Sequence, residues 1–327
     1  MADQEDTKVD VAGEEGDKEQ GAVEVEEPGD RELGVREGWF LEREVMWPGQ
    51  VFGLQVAEVL HREQSEHQEI LVFQSTSYGR VLALDGVIQL TERDEFAYQE
   101  MMVHVPLLSH PDPKHVLIVG GGDGGVLREV ARHAGVESIT MCEIDRRVVE
   151  VARKFFAEST ATAFDDARLD LQFLDAAEYI AALPGHFDVV IVDSSDPVGP
   201  AESLYTRRFY LSLRAALRQG GLVCTQGECA WLHLRLIGEV MGHCGQLFPT
   251  VDYAYTCVPS YPAGQIGLLL CSLDGGEEAL APRRSLEEEV QEELRYYSPA
   301  IHRAAFVLPN FAEKVIAPLR RPRKEKL

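Results

Sequence analysis

The sequence predicts an α/β protein with a doubly wound, mainly parallel sheet, preceded by a small antiparallel β domain. Apolar strand-like runs alternate with amphipathic helical segments beyond residue 113, and a glycine-rich turn follows the first of these strands. Residues 38–85 instead form short alternating runs separated by turn signals. Repeated strand–helix units favour a parallel sheet with right-handed crossovers, whereas short runs with turns favour hairpins.

The antiparallel part is predicted from three runs of alternating apolar and polar side chains. These runs are Phe52–Val56, Glu69–Phe73 and Arg80–Leu84, with turn signals at Tyr78-Gly79 and Asp85-Gly86. A helix follows, for which a capping side chain is available at either Thr91 or Asp94. It is expected to reach about residue 108, before the sequence HPDP at 110–113 breaks it.

Strands and helices alternate in the rest of the chain. The predicted strands are Val116–Val119, Ser138–Glu143, Leu169–Phe173, Phe187–Asp193, Leu222–Gln226, Tyr253–Val258 and Gly267–Cys271. The predicted helices are Val126–His133, Arg147–Phe156, Ala177–Leu183 and segments near 206–217, 231–247 and 286–296. We therefore expect an N-terminal hairpin domain with its linking helix over residues 36–110 and an α/β domain over residues 111–318.

The charge of the chain is negative and unevenly distributed. The formal net charge is −24, and residues 1–37 hold 14 acidic but only 4 basic side chains. With few large apolar residues, positions 1–35 are expected to form a disordered acidic leader. Residues 319–327 are expected to form a solvated basic tail. The acidic remainder disfavours nucleic acid and anionic membranes as partners and favours cationic substrates.

Other compositional features indicate a cytoplasmic protein. No apolar run approaches the roughly 18 residues that a membrane span requires, and the acidic start does not resemble a signal peptide. The six cysteines form no C-x-x-C pair, and several lie in apolar runs, as buried thiols in a reducing compartment do. The ten histidines lack ligand spacing, so no metal site is expected.

Two carboxylates follow the apolar strand Phe187–Asp193. Asp193 ends that strand and Asp196 comes three positions later, just before a segment rich in proline and glycine. In open α/β sheets ligands bind beyond the carboxyl ends of the strands. Two acids at this place suit a cationic ligand and a proton acceptor. A turn in which the aspartates bond main-chain N–H groups is the structural alternative.

A glycine-rich loop indicates a nucleoside site. The segment Gly120–Gly125 fits G-x-G-x-x-G after a strand and before a helix, and Glu143 ends the next strand. An acid at that position accepts hydrogen bonds from ribose hydroxyls. Asp175, which follows the third strand, could accept from an adenine amino group or could cap the next helix.

The acid inside this loop, Asp123, argues against a dinucleotide. A dinucleotide would place its pyrophosphate on the loop and the helix amino end. A carboxylate about 4 Å from a phosphate costs roughly 4 kcal/mol at an effective dielectric constant of about 20. A cationic ligand avoids this cost. The loop therefore favours a sulfonium nucleoside of the S-adenosylmethionine type over NAD.

With these motifs assembled, residues 36–318 resemble the spermidine synthase family of polyamine aminopropyltransferases. The matching segments include Arg36–Phe40, Leu84–Gln89, Thr91–Phe96, Tyr98–Met101, Gly120–Glu129, Cys142–Asp145, Asp193–Leu204, Gln226–Cys229, Trp231–Leu234, Gly264–Gly267 and His302–Phe306. The resemblance implies a Rossmann-like, class I methyltransferase-like fold. It also implies transfer of an aminopropyl group from decarboxylated S-adenosylmethionine to putrescine. The nucleoside is a co-substrate, so no resident cofactor is expected, and the chain should form a homodimer or a larger homo-oligomer.

The resemblance also implies roles for individual residues. The donor nucleoside would be bound by Gln68, Gln99, Gly120, Gly122, Asp123, Glu143, Asp175, Ala176 and Asp193. The acceptor amine would be bound by Tyr98, Asp193, Asp196 and Tyr261. The two acids Asp123 and Asp193 would hold the ammonium of the donor, and Asp193 would be shared between the two substrates.

Elementary chemistry makes Asp193 the candidate catalytic residue. Putrescine amines should titrate near a lysine amine, at about 10.4, so they arrive charged and cannot attack. A carboxylate can hold the ammonium and then accept its proton. An ordinary aspartic acid, with a pKa of about 3.9, is a poor base for this step, but burial or a neighbouring like charge such as Asp196 would raise that value. The leaving group is a neutral thioether, so neither a metal nor an oxyanion hole is needed.

One departure from the family pattern keeps other acceptors open. Ala176 follows Asp175 where spermidine synthases usually have glycine. Spermine synthase, with spermidine as acceptor, and putrescine N-methyltransferase, with intact S-adenosylmethionine as donor, are the alternatives on the same scaffold. A non-catalytic paralogue that binds polyamine or a partner enzyme is a further alternative of a different class.

Overall fold

The N-terminal part of the chain forms an antiparallel sheet, as the hairpin pattern predicts. In this computed structural model, which describes residues 35–42, 46–196, 199–276 and 278–322, the sheet has six strands in sequential order. They are β1 (Val35–Arg36), β2 (Trp39–Glu42), β3 (Phe52–Gln64), β4 (Glu69–Ser75), β5 (Arg80–Leu84) and β6 (Val87–Thr91). Asp85 and Gly86 between β5 and β6 both have positive φ (47° and 80°), the geometry that a tight hairpin turn requires.

The predicted helix follows as α1 (Glu95–Ser109). Asp94 stands at its N-cap position, but the carboxylate makes no capping hydrogen bond. It accepts hydrogen bonds instead from the hydroxyl of Thr91 (2.6 Å) and from the main-chain N–H (2.8 Å) and hydroxyl (2.9 Å) of Ser260. The capping role predicted for Thr91 or Asp94 is therefore wrong, because the Asp94 carboxylate is bonded to Thr91 and to Ser260, which is distant along the chain.

The second sheet is mainly parallel. Its strands, in the described residues, are β7 (His115–Gly120), β8 (Ser138–Glu143), β9 (Leu169–Phe173), β10 (Phe187–Asp193), β11 (Leu217–Gln226), β12 (Thr250–Cys257) and β13 (Gln265–Ser272). Their spatial order is β12-β13-β11-β10-β7-β8-β9. Strands β9, β8, β7, β10 and β11 run parallel, whereas β13 is antiparallel to both of its neighbours. The predicted fold class is confirmed.

Helices connect the strands on both faces. They are α2 (Gly125–Ala131), α3 (Arg146–Phe155), α4 (Ala176–Ala181), α5 (Arg207–Ala216), α6 (Ala230–Cys244), α7 (Glu288–Glu293), α8 (Pro299–Ala304) and α9 (Asn310–Ile316). The last two are short and were not expected from the sequence. None of the helices in the described ranges is long and apolar enough to cross a membrane.

Alternate side chains of β7 face two different cores. Val116 and Ile118 join the core that contains α1, α2 and α3, whereas Leu117 and Val119 join the core formed with α4, α5, α6 and α9. The first core also includes side chains of the antiparallel sheet, namely Ile70, Val72, Leu82 and Leu90. The antiparallel sheet and the α/β part therefore share one hydrophobic interior.

The start of the predicted basic tail belongs to the folded part. Arg320 is 7% exposed and forms ion pairs with Asp252 (2.5 Å) and Glu313 (2.6 Å). The main chain of Arg321 pairs with that of Val251. The prediction that Arg320 and Arg321 are solvated is wrong, because the charge of Arg320 is paired with residues of β12 and α9 and the main chain of Arg321 pairs with β12. The acidic leader up to residue 34 and residues 323–327 lie outside the described residues.

Candidate active site

The topology opens a cavity where the sheet order reverses. The chain leaves β7 toward β8 and β9 and later returns to β10 on the other side, and Asp193 of β10 pairs with Gly120 of β7. Such a switch point is where α/β sheets bind ligands. A cavity of about 340 Å³ lies there. It is lined by eleven of the twelve predicted site residues: Gln68, Tyr98, Gly120, Gly122, Asp123, Glu143, Asp175, Ala176, Asp193, Asp196 and Tyr261.

The remaining predicted residue, Gln99, acts behind the cavity wall. Its amide Nε2 donates to Oδ1 of Asp123 at 3.3 Å. The main-chain N–H of Gly125 donates to the same oxygen at 2.7 Å. Gln99 therefore orients the acid inside the loop, and the structure does not place it on the cavity surface.

The glycine-rich loop is packed too closely for side chains. Gly120 has φ 76°, and a Cβ there would lie 2.1 Å from the main-chain oxygen of Asp193. A Cβ on Gly122 would lie 2.8 Å from Oε2 of Glu143 and 2.8 Å from Cγ1 of Val148. These glycines let the loop approach the neighbouring strand ends and leave Glu143 facing the cavity.

We expect Gly122→Ala to weaken nucleoside binding by at least about tenfold, which corresponds to roughly 1.4 kcal/mol. The new methyl group would displace the Glu143 carboxylate. Calorimetric titration with methylthioadenosine measures the effect. Gly242→Ala is the matched control, because a Cβ there meets no atom within 4 Å. Equal affinities for the two variants would contradict the role assigned to this loop.

Glu143 is an acid held in place by main-chain donors. Its Oε1 accepts from the N–H of Asp145 at 2.8 Å, and burial raises its pKa to about 7. Asp145 in turn accepts from Nε2 of Gln68 at 3.0 Å and from the hydroxyl of Ser65 at 2.6 Å. The β3–β4 turn is thus fastened beside the end of β8, with Gln68 on the cavity wall.

Asp175 caps a helix and also lines the cavity, so the capping interpretation is confirmed and the adenine contact stays a prediction. Its Oδ1 accepts from the N–H of Ala177 at 2.8 Å, so it caps α4. Asp175 and Ala176 also line the cavity. A capping contact therefore fixes the side chain at the cavity edge, where a nucleobase edge can reach it.

Two acids, Asp123 and Asp193, line the cavity, and only one of the two carboxylate oxygens of Asp193 has a hydrogen-bond partner. Oδ1 of Asp193 accepts from the hydroxyl of Tyr98 at 2.6 Å. Oδ2 of Asp193 is buried and has no hydrogen-bond partner among the described residues. Burial raises the pKa of both Asp193 and Asp123, and the charge of Asp193 raises that of Asp123 further. A buried acceptor without a partner is costly unless a ligand supplies the donor.

Two tyrosines form the wall beside Asp193. The rings of Tyr98 and Tyr261 lie 5.7 Å apart between centroids, and Tyr98 is 4% exposed. The hydroxyl of Tyr261 donates to the main-chain oxygen of Gln89 at 2.7 Å. Burial raises the pKa of both hydroxyl groups well above the usual value of tyrosine. Both groups therefore stay protonated at neutral pH and can donate hydrogen bonds.

The far end of the cavity is lined by two polar residues that the sequence did not assign to the site, Gln226 and Glu228, and Tyr205 bonds to the first of them. The hydroxyl of Tyr205 donates to Oε1 of Gln226 (2.9 Å) and lies 3.5 Å from Oε1 of Glu228. Nε2 of Gln226 lies 3.4 Å from Oδ1 of Asp196. Gln226 and Glu228 could have been found, because Gln226 ends β11 and Glu228 comes two residues later, within a segment that carried the family resemblance.

Glu228 is held in an uncommon backbone conformation. It has φ 60°, is 3% exposed and lines the cavity. Its main-chain oxygen accepts from the hydroxyl of Tyr253 at 2.7 Å and from the N–H of Gly267. A positive φ in a residue with a side chain is sparsely populated and persists where the surroundings enforce it, often at functional sites.

The cavity thus joins one end, which contains Glu143 and the glycine-rich loop, to another end that contains Asp193, Asp196 and Glu228. Among the described residues, no group of three or more histidine, cysteine or acidic side chains has the arrangement of a metal site. These features place the chain among Rossmann-like transferases that bind a nucleoside beside a cationic group.

Comparison with known proteins identifies the family. Residues 38–92 match the spermidine synthase tetramerisation domain, and residues 95–280 match the spermine/spermidine synthase domain. The spermidine synthase of Dictyostelium discoideum is 54% identical over 280 residues, which cover 86% of this chain and 98% of that protein. The enzyme of Solanum lycopersicum is 50% identical over 289 residues, covering 86% and 84%.

Solved structures agree with the sequence comparison. A crystal structure of spermidine synthase in complex with the transition state analogue AdoDATO superposes with a TM-score of 0.80 at 35% identity, covering 87% of this chain and 97% of that chain. The spermidine synthase of Thermotoga maritima superposes with a TM-score of 0.78 at 35% identity, covering 87% and 96%. The chain belongs to the spermidine synthase family, and the predicted resemblance and transferase class are confirmed.

Proposed function

We propose that this chain transfers the aminopropyl group of decarboxylated S-adenosylmethionine to putrescine, giving spermidine, 5′-methylthioadenosine and a proton. The observation that carries the proposal is the buried Oδ2 of Asp193, which has no hydrogen-bond partner among the described residues, in a cavity lined by the glycine-rich loop, Glu143 and further acids. An ammonium group supplies the missing donor, and a carboxylate with a raised pKa can then take its proton.

The donor is proposed to lie along the ends of β7, β8 and β9. Glu143 accepts hydrogen bonds from the ribose hydroxyls, and Asp175 accepts from the adenine amino group. Gly120 and Gly122 allow the loop to approach the nucleoside, and Gln68 also lines this cavity. Asp123 and Asp193 face the donor ammonium, which compensates two carboxylates that burial makes unfavourable.

The acceptor is proposed to lie between Asp193 and the far acids Asp196 and Glu228. Tyr98 and Tyr261 orient the attacking amine beside Asp193. Asp193 takes a proton from the ammonium, the free amine attacks the methylene carbon next to sulfur, and the carbon–sulfur bond breaks to release a neutral thioether. Alignment of nitrogen, carbon and sulfur could supply on the order of 7–11 kcal/mol of the barrier reduction.

We infer that the reaction uses no metal and no resident cofactor, because the positive charge of the sulfonium already activates the leaving group.

The chain also contains six free cysteines, five of them buried. These thiols support the inference of a cytoplasmic location, where they stay reduced.

A product assay tests the proposed function. The protein is incubated with decarboxylated S-adenosylmethionine and putrescine, cadaverine or spermidine in parallel, and with intact S-adenosylmethionine and putrescine. We expect spermidine as the main product by mass. Spermine as the main product would identify a spermine synthase, a methylated diamine would identify an N-methyltransferase, and no product with any pair would indicate a non-catalytic paralogue.

We infer a homodimer or a larger homo-oligomer assembled through the antiparallel sheet. The match of residues 38–92 to a domain described as a tetramerisation domain supports this. Trp39, Val51 and Val59 in this region are each about half exposed, at 46%, 51% and 46%. Sedimentation velocity should give a mass of at least twice 36.4 kDa. A monomer at micromolar concentration would contradict the inference.

A further inference from the structure

Asp145 is a buried acid that contacts two predicted donor-site residues through two different groups. It stands at the N-cap of α3 and is 2% exposed. Its main-chain N–H donates to Oε1 of Glu143 at 2.8 Å, and its Oδ2 accepts from Nε2 of Gln68 at 3.0 Å. Glu143 and Gln68 line the cavity and Asp145 does not. Any influence of Asp145 on a ligand must therefore pass through these two neighbours.

The same carboxylate oxygen holds the turn between β3 and β4. The Ser65 hydroxyl donates to Oδ2 of Asp145 at 2.6 Å, a length typical of a strong hydrogen bond to a charged acceptor. The Ser65 oxygen in turn accepts from the main-chain N–H groups of His67 at 3.0 Å and Gln68 at 2.9 Å. One oxygen atom of Asp145 thus binds both the Gln68 side chain and the residue that orders its main chain.

The chemistry of a carboxylate determines how the Gln68 amide is oriented. A carboxylate only accepts hydrogen bonds, so the NH2 group of the amide must face Asp145. The carbonyl oxygen, Oε1 of Gln68, is then the amide atom that is turned away from Asp145, on a side chain that lines the cavity. A carbonyl oxygen suits the hydroxyl groups and the positive charge of the proposed donor nucleoside, because it accepts hydrogen bonds and carries a partial negative charge.

We propose that Asp145 is a positioning residue for the donor nucleoside, which orients the Gln68 amide with its carbonyl oxygen toward the ligand and holds the β3–β4 turn beside Glu143. This inference rests on the proposed function and deepens its donor site. A free glutamine side chain has several rotatable bonds, and fixing it before the ligand arrives reduces the entropy that binding costs. The carboxylate of Asp145 should therefore determine nucleoside affinity without contacting the nucleoside.

Asp145→Asn tests this role and preserves the cap of α3. Asparagine can still accept from the N–H of Arg147, as Oδ1 of Asp145 does at 2.9 Å, but its NH2 group then faces Gln68. We expect the dissociation constant of methylthioadenosine, measured by calorimetry, to rise on the order of tenfold. This ligand is neutral, so the loss of a negative charge does not itself weaken binding. The saturating kcat and the KM for putrescine should change less than about twofold, because the reacting centre at Asp193 is untouched.

The matched control is Asp170→Asn. Asp170 accepts from Nε2 of Gln172 at 2.5 Å, the same type of pair as Asp145 and Gln68. Asp170 is exposed, and neither member of this pair lines the cavity. The control should leave the dissociation constant of methylthioadenosine unchanged.

An exchange of the two side-chain types separates orientation of the amide from a general effect on the fold. Gln68→Glu alone places a second carboxylate against Asp145 and should weaken methylthioadenosine binding by at least about tenfold. Gln68→Glu combined with Asp145→Asn restores one NH2 group and one acceptor and leaves a second carboxylate oxygen for the ligand. In that double variant we expect affinity within about threefold of the unmodified protein.

An unchanged dissociation constant in Asp145→Asn, or no recovery in the double variant, would overturn the inference. If Asp145→Asn fails to fold, Ser65→Ala decides instead, because it removes one contact of the same oxygen and leaves the cap intact; unchanged affinity there would overturn the inference and weaker affinity would support it. Calorimetry needs no turnover, so a protein that makes no spermidine would refute the proposed function while the affinities still decide the role of Asp145. Absence of methylthioadenosine binding to the unmodified protein would overturn both.

Discussion

Asp193→Asn should reduce turnover by about 10²- to 10⁴-fold at saturating donor, the range for losing a general base. The amide has nearly the shape of the carboxylate, so it can still accept from Tyr98, which donates to Asp193 at 2.6 Å. It carries no charge to hold the ammonium and takes no proton at neutral pH. Single-turnover formation of spermidine, followed by mass, measures the chemical step apart from product release.

The pH dependence provides a second readout of the same residue. Asp193 acts in its ionised form, so the rate should fall as the pH drops through its pKa, which burial raises above the ordinary value. The hydrogen bond from Tyr98 lowers that pKa. Tyr98→Phe should therefore shift the acidic limb to higher pH. A single-turnover rate near normal in Asp193→Asn would rule out the base assignment.

Asp123→Asn should abolish most of the preference for decarboxylated over intact S-adenosylmethionine. Intact S-adenosylmethionine carries a carboxylate near the position of the donor ammonium. One repulsive pair at about 4 Å costs roughly 4 kcal/mol at an effective dielectric constant of about 20, or about 10³-fold in affinity. Because Asp193 remains charged, we expect the ratio of the two dissociation constants to fall on the order of 10²-fold or more.

The local structure around position 123 should tolerate this substitution. The asparagine oxygen can still accept from the N–H of Gly125 and from Gln99, as Oδ1 of Asp123 does. Calorimetry with both nucleosides gives the ratio. Asp165→Asn, the same change at a side chain that is 92% exposed, is the control. An unchanged ratio in Asp123→Asn would show that donor selection resides elsewhere.

The sequence by itself determined the fold class and the centre of the site. The patterns of apolar and polar side chains that distinguish strands from helices involve only residues that are close along the chain. Strands such as Ser138–Glu143 and Phe187–Asp193 were therefore predicted with their observed limits. The rule that ligands bind at the carboxyl ends of strands then located Asp193 and Glu143, because each ends its own strand.

Only the tertiary structure decided how these side chains are partnered. Asp94 accepts a hydrogen bond from Ser260, and Arg320 forms an ion pair with Asp252. In both pairs the two residues are far apart along the chain, so the contact exists only because the fold brings them together. Nδ1 of His233 lies 2.6 Å from Oε2 of Glu228, where α6 departs from helical geometry at His233 and Glu228 has a positive φ, and no local sequence pattern indicates either feature. Hydrogen bonds and desolvation act over a few ångströms in space, whereas a sequence pattern reports only separation along the chain.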